Sequence, residues 1–135
     1  ITIPSSVITI GENAFNGCSA LTEIALPLSV TEIGNNSFNR CSSLTQIKIP
    51  SSVTLIGDHA LSSCISLKEI SIPSSVALID NWAFYECKSI MQISLPSSVT
   101  SIGNFAFCRC TSLTSIFIPN SVSSIGESAF DGVLH

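Results

Sequence analysis

Cysteine is the residue type whose spacing first suggests chemistry in this sequence. Five of the six cysteines recur at one constant interval along the chain, namely Cys18, Cys41, Cys64, Cys87 and Cys110. If they occupy equivalent places in stacked units about 4.8 Å apart, their side chains point the same way. A disulfide requires Cβ atoms about 3.8 Å apart that face each other. The spacing therefore favours a column of buried free thiols, with a disulfide framework as the alternative.

The sixth cysteine and the two histidines offer little further chemistry. Cys108 replaces residues that vary from unit to unit, so we expect an exposed column and either an incidental substitution, a reactive thiol or an intermolecular disulfide partner. Cys108 and Cys110 form a C-x-C pair, but we expect one to face outwards and the other inwards, which does not suit a metal site. His59 and His135 belong to no Ser-His-Asp arrangement, and no phosphate-binding loop occurs. We therefore predict neither an enzyme nor a metal or other cofactor.

The elements that would position these residues follow from the same repeat, whose period is 23. Four columns keep this interval throughout the chain, beginning at Pro4, Ser6, Val7 and Ile10. A glycine column and a phenylalanine column have one exception each, Asp80 and Leu61. Counting from Ile1 gives five complete units, 1–115, and part of a sixth, 116–135. We interpret 1–135 as a single array and expect it to be a segment of a longer one.

Each unit combines two extended segments and a tight turn. The pattern L-x-x-I-x-I/L, as in Leu44 to Ile49, predicts a short strand that the following proline terminates. The next serine can bond its own backbone, and V-x-x-I-G predicts a second extended segment with glycine at a positive-φ corner. A-F-x-x-C predicts a 3₁₀ or short helical turn. No unit can bury its apolar residues alone, so the sequence predicts a mainly β repeat solenoid with short parallel strands.

These residues resemble the BspA-like, or Treponema-type, leucine-rich repeat family. The motif is complete in the stretch L-T-S-I-F-I-P at 113–119 with Val122, Ile125, Gly126, Ala129 and Phe130. The resemblance covers the entire chain and implies leucine-rich-repeat coils. It also implies an extracellular or cell-surface location, because the family is similar to surface proteins of bacteria and protozoa that are associated with adhesion and host-protein binding.

Composition and charge narrow the possible partners. Charged residues make up only 10% of the chain, and the net charge is −4. This balance disfavours nucleic acid and anionic membrane surfaces, both of which attract basic proteins. No apolar run approaches the roughly 20 residues of a membrane span, so we predict no membrane insertion. Because the chain begins in mid-pattern, the lack of a targeting signal carries little information.

The first candidate binding surface is the exposed face of the main strand. One column carries Glu23, Gln46, Glu69 and Gln92, and the neighbouring column includes Lys48 and Phe117. By analogy with other leucine-rich repeats, this is the concave face that binds ligands. The alternative is an ordinary solvated sheet face, because carboxylates and amides with one lysine and one aromatic ring offer mild chemistry.

The second candidate surface is aromatic. His59, Trp82 and Phe105 share a column that is asparagine in the first two units, and Tyr85 lies three residues after Trp82. Positions three apart share one side of a helical turn, so these rings should cluster. Exposed aromatic clusters suggest a contact site. The alternative is that the rings stack coil on coil or pack against a part of the protein outside this sequence.

The sequence as a whole predicts an extracellular or cell-surface domain that binds protein or glycan partners through its sides. The alternative is a structural element that self-associates end to end into a filament or longer array. That alternative rests on the lack of a recognisable polar cap, which leaves strand edges open for pairing. The sequon at 35–37 is either a glycosylation acceptor at Asn35, if the chain is secreted, or a chance occurrence.

Overall fold

The chain forms a solenoid whose coils stack through two parallel sheets. A computed structural model describes residues 1–133, so Leu134 and His135, the end of the sixth predicted unit, lie outside the described residues. The strands are β1 Thr9–Ile10, β2 Glu23–Ala25, β3 Glu32–Ile33, β4 Gln46–Lys48, β5 Leu55–Ile56, β6 Glu69–Ser71, β7 Leu78–Ile79, β8 Ser101–Ile102 and β9 Ser124–Ile125. The long sheet has the order β1-β3-β5-β7-β8-β9, and the short sheet has the order β2-β4-β6.

The register of both sheets follows the repeat. In the long sheet Ile10 is opposite Ile33, and in the short sheet Ile24 is opposite Ile47, so each strand pairs with the segment one repeat later. Every strand pair in the described chain is parallel. The predicted solenoid with short parallel strands is therefore confirmed.

The short sheet ends earlier than the sequence pattern suggests. The pattern predicts a main strand in every unit, but the ladder β2-β4-β6 stops at Ser71. Beyond it, among the described residues, only an isolated bridge joins Ser94 and Phe117. The long sheet, built from the V-x-x-I segments, continues from β1 to β9 and is the more continuous of the two.

The core consists of the repeated apolar columns. Val30, Ile33, Phe38, Cys41 and Leu44 are completely buried in one repeat, and their equivalents in the central coils are buried as well. The rings of the phenylalanine column stack at 5.2 Å between centroids, as in the pair of Phe84 and Phe107. Because each coil covers the apolar side chains of its neighbour, stacking supplies the burial that one coil lacks.

The side of the coil between the glycine and the cysteine is a series of turns. The N–H of Ala14 bonds the carbonyl of Gly11, and the N–H of Cys18 bonds the carbonyl of Phe15, the three-residue spacing expected of 3₁₀ turns. The intervening N–H groups bond the next coil instead, as in Phe15 to Ser37 at 2.7 Å. Because every second N–H leaves the coil, no helix forms among residues 1–133.

The predicted role of the glycine column is wrong. Positive φ values fall two residues later, for example at Asn13 (59°) and Asn36 (56°), and not on the column glycines. Gly34 is required for close approach instead, because a Cβ there would lie 2.6 Å from the carbonyl oxygen of Ile10. The serine column also differs from expectation, since Ser29 donates to the carbonyl of Val7 in the preceding coil rather than to its own turn.

Candidate functional site

The four predicted aromatic residues lie together on the turn side of the solenoid. The ring of Trp82 stacks on Phe105 at 4.1 Å and on His59 at 5.4 Å between centroids, with interplanar angles of 13° and 12°. Tyr85 meets Trp82 edge to face at 4.9 Å. We call His59, Trp82, Tyr85 and Phe105 the aromatic ladder. The predicted clustering is confirmed, and the rings stack coil on coil, as the packing alternative required.

The backbone of the aromatic ladder is unusual for its residue types. His59, Trp82 and Phe105 have φ values of 55°, 59° and 56°, in the left-handed region. Asn13 and Asn36 hold the same conformation in earlier coils, where asparagine is well suited to it. A residue with a bulky side chain is less stable there, by about 1–2 kcal/mol. At this column aromatic residues therefore replace asparagine, which adopts the left-handed backbone conformation at lower cost. Local backbone strain of this kind is found at functional sites.

The aromatic ladder presents ring edges and polar tips to solvent. All four side chains are half-buried. Both faces of Trp82 are covered, by His59 on one side and Phe105 on the other. Within the described chain, neither the Trp82 indole N–H nor the Tyr85 hydroxyl has a hydrogen-bond partner, so both can bond a ligand. A sugar ring therefore cannot stack on a face of Trp82, whereas a polypeptide can pack against its edge.

Two polar pairs border the aromatic ladder. Asp58 Oδ1 lies 2.8 Å from Nδ1 of His59. Arg109 donates to Glu86 at 3.0 Å, and its guanidinium carbon lies 5.8 Å from the centre of the Tyr85 ring. Sequence reasoning missed Glu86 and Arg109 as neighbours of the ladder. Their separation by one full repeat would have placed them side by side in adjacent coils.

The strand-face residues are exposed, but they form a common surface only in part. Glu23, Gln46, Lys48 and Glu69 line an open groove of about 790 Å³ on the short sheet, together with Ile1, Ile24, Ala25, Ile47, Ile70 and Ser71. Gln46 Nε2 donates to Glu23 Oε2 at 3.0 Å. Gln92 is exposed but lies outside the sheet, and Phe117, 76% exposed, occupies the isolated bridge. The six residues are therefore not brought together as one site.

The cysteine column belongs to the core. All six cysteines are free, and in four column members the thiol donates to a phenylalanine or leucine carbonyl of the preceding coil, at 3.1–3.2 Å. Burial, and then the neighbouring thiol, raise the pKa of Cys41 to about 11 and that of Cys64 to about 12. Burial likewise raises the pKa of Cys110 to about 12. These thiols therefore stay protonated and unreactive at neutral pH.

We predict that the buried column thiols react slowly in the native state. A pKa raised from 9.0 to about 11 lowers the thiolate fraction of Cys41 at pH 8 by about 100-fold. With iodoacetamide at pH 8, Cys18, which is only half-buried, should be modified first, and Cys41, Cys64, Cys87 and Cys110 at least about 100-fold more slowly than in urea. Mass spectrometry of the modified peptides measures this order, and uniform native reactivity would contradict the prediction.

The predicted exposure of Cys108 is wrong. Its side chain is only 4% exposed, and Ser62, two repeats earlier in the same column, is 2% exposed. Tyr85, a larger residue, occupies the same column in the coil between them, and stacked coils cover the side chains of their neighbours. Burial raises the pKa of Cys108, and the negative charge of Asp131 raises it further. Cys108 is therefore not an accessible reactive thiol.

The remaining predicted features have simple placements. Asn35 is exposed, and its Oδ1 accepts a hydrogen bond from the N–H of Asp58 at 3.0 Å, which leaves Nδ2 free for a glycan; glycosylation there stays a prediction. No group of three or more metal-binding side chains occurs in residues 1–133. Over the same residues, we find no helix with the length and apolar character needed to cross a bilayer.

Comparison with known proteins gives consistent results. The chain matches the BspA type leucine rich repeat region in six copies, over residues 1–90 and 31–134. It is similar to the crystal structure of a leucine rich repeat protein from T. pallidum, with 31% identity and a TM-score of 0.84 over 97% of this chain and 67% of that one. No match was found among curated proteins.

Two further solved structures share the fold with much longer chains. A leucine-rich repeat protein from Eubacterium ventriosum is 32% identical, with a TM-score of 0.89 over 98% of this chain and 36% of its own. A leucine rich cell surface protein from Faecalibacterium prausnitzii is 32% identical, with a TM-score of 0.71 over 97% of this chain and 44% of its own. The chain thus spans less than half of either protein.

Proposed function

Because the chain belongs to the BspA-type leucine-rich repeat family, we propose that it is a cell-surface domain that binds protein partners, and that the aromatic ladder makes the principal contact. The observation that carries this proposal is the stack of His59, Trp82 and Phe105 at left-handed backbone positions that hold asparagine in the first two coils. Core packing does not require these rings, since the second coil lacks them and its core residues, such as Ile33 and Phe38, are completely buried.

A cell-surface location is supported by one of the similar proteins. The Faecalibacterium prausnitzii protein is described as a leucine rich cell surface protein. None of the three similar structures described above is named as an enzyme. These resemblances favour recognition over catalysis, and they agree with a site that offers ring edges, an indole N–H and a hydroxyl rather than an activated nucleophile.

The aromatic ladder suits a protein partner better than the strand face does. Tryptophan and tyrosine dominate the binding energy of protein interfaces, because they bury a large area and can still donate a hydrogen bond. The strand-face groove is lined by apolar residues together with carboxylate, amide, lysine and serine groups, and it contains no aromatic ring. Its one exposed ring, Phe117, stands apart from the three-stranded part of the face.

We predict that replacing both Trp82 and Phe105 with asparagine abolishes most partner binding and preserves the fold. Loss of stacking costs about 0.5–1.5 kcal/mol per ring, whereas asparagine relieves a similar amount of left-handed strain. Binding of the fluorescent chain to cultured epithelial cells, measured by flow cytometry, should weaken at least about tenfold, as for two interface hot spots. Protease treatment of the cells should remove the ring-dependent binding, and periodate should not.

The matched control is Phe117→Ser, which removes the strand-face ring and inserts the residue of the two preceding coils. It should leave binding within about twofold of the wild type. Equal loss from both variants, or sensitivity to periodate alone, would contradict the proposed function. Sedimentation velocity across a concentration series tests the alternative that the chain is a structural element that self-associates end to end. Association that grows with concentration and persists in the ring variants would favour that alternative.

A further inference from the structure

We propose that the partner offers the aromatic ladder a basic polypeptide segment, whose arginine or lysine side chains pair with Glu127 and Asp131 while its apolar groups pack on the ring edges. This inference rests on the proposed function and adds the chemical class of the partner. Two observations support it, namely the distribution of charged residues over the molecule and the way the ring stack ends.

The net charge of the chain lies entirely on the side of the aromatic ladder. We define the turn side as residues 11–17 and the equivalent segment of each later coil. It contains six acidic residues and two basic ones, so it accounts for the full net charge of −4. The acidic residues are Glu12, Asp58, Asp80, Glu86, Glu127 and Asp131, and the basic ones are Arg40 and Arg109. The rest of the chain is balanced, with Glu23, Glu32 and Glu69 against Lys48, Lys68 and Lys88.

The imbalance is greatest around the rings. From His59 onwards Arg109 is the single basic residue on the described turn side, and it is already paired with Glu86. Glu127 and Asp131 are exposed, and within residues 1–133 neither carboxylate has an ion-pair or hydrogen-bond partner. A protein surface with unpaired carboxylates next to apolar rings attracts a cationic partner and repels an anionic one.

The end of the ring stack offers a place for a cation. The stack stops at Phe105 because the next coil carries Ser128, a small and exposed residue, at the equivalent position. Ser128 is preceded by Glu127, whose carbonyl accepts the Phe105 N–H at 2.8 Å, and is followed three residues later by Asp131. A guanidinium laid on the face of Phe105 opposite Trp82 would therefore lie in the coil that carries Glu127 and Asp131. Arginine is the cation best suited to this combination of ring face and carboxylate.

The same charge excludes other classes of partner for this surface. Nucleic acid and anionic lipid headgroups both need a basic footprint, and here the local sign is opposite. A neutral glycan would find both faces of Trp82 covered, and on the remaining face of Phe105 it would leave the carboxylates of Glu127 and Asp131 without a counter-charge. A basic polypeptide meets both requirements at once, since it supplies positive charge and a flexible chain that can follow a ridge of ring edges.

The experiment uses Trp82, the only tryptophan of the chain, as the reporter. Its emission is followed while the protein is titrated with a twelve-residue peptide that alternates arginine with leucine and serine, and with the same peptide carrying glutamate for arginine. The arginine peptide should change the emission saturably, and the glutamate peptide should not. Binding should weaken steeply between low and physiological salt, because exposed charges are screened over about 8 Å.

The decisive variants reverse charge on the two sides of the molecule. Glu127→Lys with Asp131→Lys should weaken binding of the arginine peptide at least about tenfold, and Phe105→Asn should weaken it similarly. Glu23→Lys with Glu69→Lys changes the net charge by the same amount on the strand face, and should leave binding within about twofold. Equal weakening by both charge reversals, or binding of the glutamate peptide, would overturn the inference.

The same variants separate this inference from the proposed function. In the epithelial-cell assay, the turn-side charge reversal should reduce binding as the ring substitutions do. If the ring substitutions abolish cell binding and the charge reversal does not, the partner is a protein but not a basic one, and only this inference fails. If neither change affects cell binding, the aromatic ladder is not the contact and the proposed function fails with it.

Discussion

Replacing Phe84 with alanine should lower the free energy of unfolding by about 3–5 kcal/mol. Phe84 is completely buried and stacks on Phe107 in the next coil at 5.2 Å between ring centroids. Alanine would leave a cavity between two coils that are held at the spacing of a parallel ladder, so the structure can relax only partially. The loss should appear in urea unfolding followed by far-ultraviolet circular dichroism.

The matched control is Phe84→Leu. Leucine already occupies this column as Leu61 in the preceding coil, where it is completely buried. The cost should therefore stay below about 1.5 kcal/mol. If alanine and leucine at position 84 unfold at the same urea concentration, the phenylalanine column does not hold the coils together as described. This large effect also contrasts with the near-neutral stability expected for Trp82→Asn, which separates core rings from contact rings.

The second large effect is expected from Gly103→Ala, at about 1–3 kcal/mol. A Cβ on Gly103 would lie 2.5 Å from the backbone nitrogen of Asn81 and 2.6 Å from the carbonyl carbon of Asp80. Both atoms are backbone, so the coils themselves would have to move apart. Thermal unfolding measures the effect, and Gly11→Ala is the control, because nothing lies within 4 Å of a Cβ there. Equal melting temperatures for the two variants would contradict close approach as the reason for glycine.

Asp80 shows what a side chain in the glycine column changes. In the neighbouring coils the residue after the column donates its N–H to an asparagine of the preceding coil, as Asn104 does to Asn81 at 2.8 Å. After Asp80, the N–H of Asn81 bonds Asp80 Oδ1 instead, also at 2.8 Å. The side chain thus replaces a hydrogen bond between coils with a local one. An alanine side chain at position 103 has no hydrogen-bond acceptor, so it cannot form the local bond that Asp80 forms. The free-energy cost of the close contact is therefore not offset.

The aromatic ladder shows how far the candidate site could be predicted. The column spacing placed His59, Trp82 and Phe105 in adjacent coils, and the three-residue step placed Tyr85 beside Trp82. The left-handed backbone beneath them could not be predicted, because φ at these positions is set by hydrogen bonds to the next coil, such as Trp82 N–H to the carbonyl of Asn104. The covering of both faces of Trp82 depends on the same contact between coils.

The sequence by itself determined the period, the register and the core of this protein. The constant interval shared by proline, valine, isoleucine and cysteine leaves one way to bury every apolar column at once, and the observed strand register follows it. Only the tertiary structure decided the close approach at Gly34, the burial of Cys108 and the end of the short sheet at Ser71. The close approach and the burial depend on the distance between one coil and the next and on the side chains above and below, which the pattern within a single repeat does not contain.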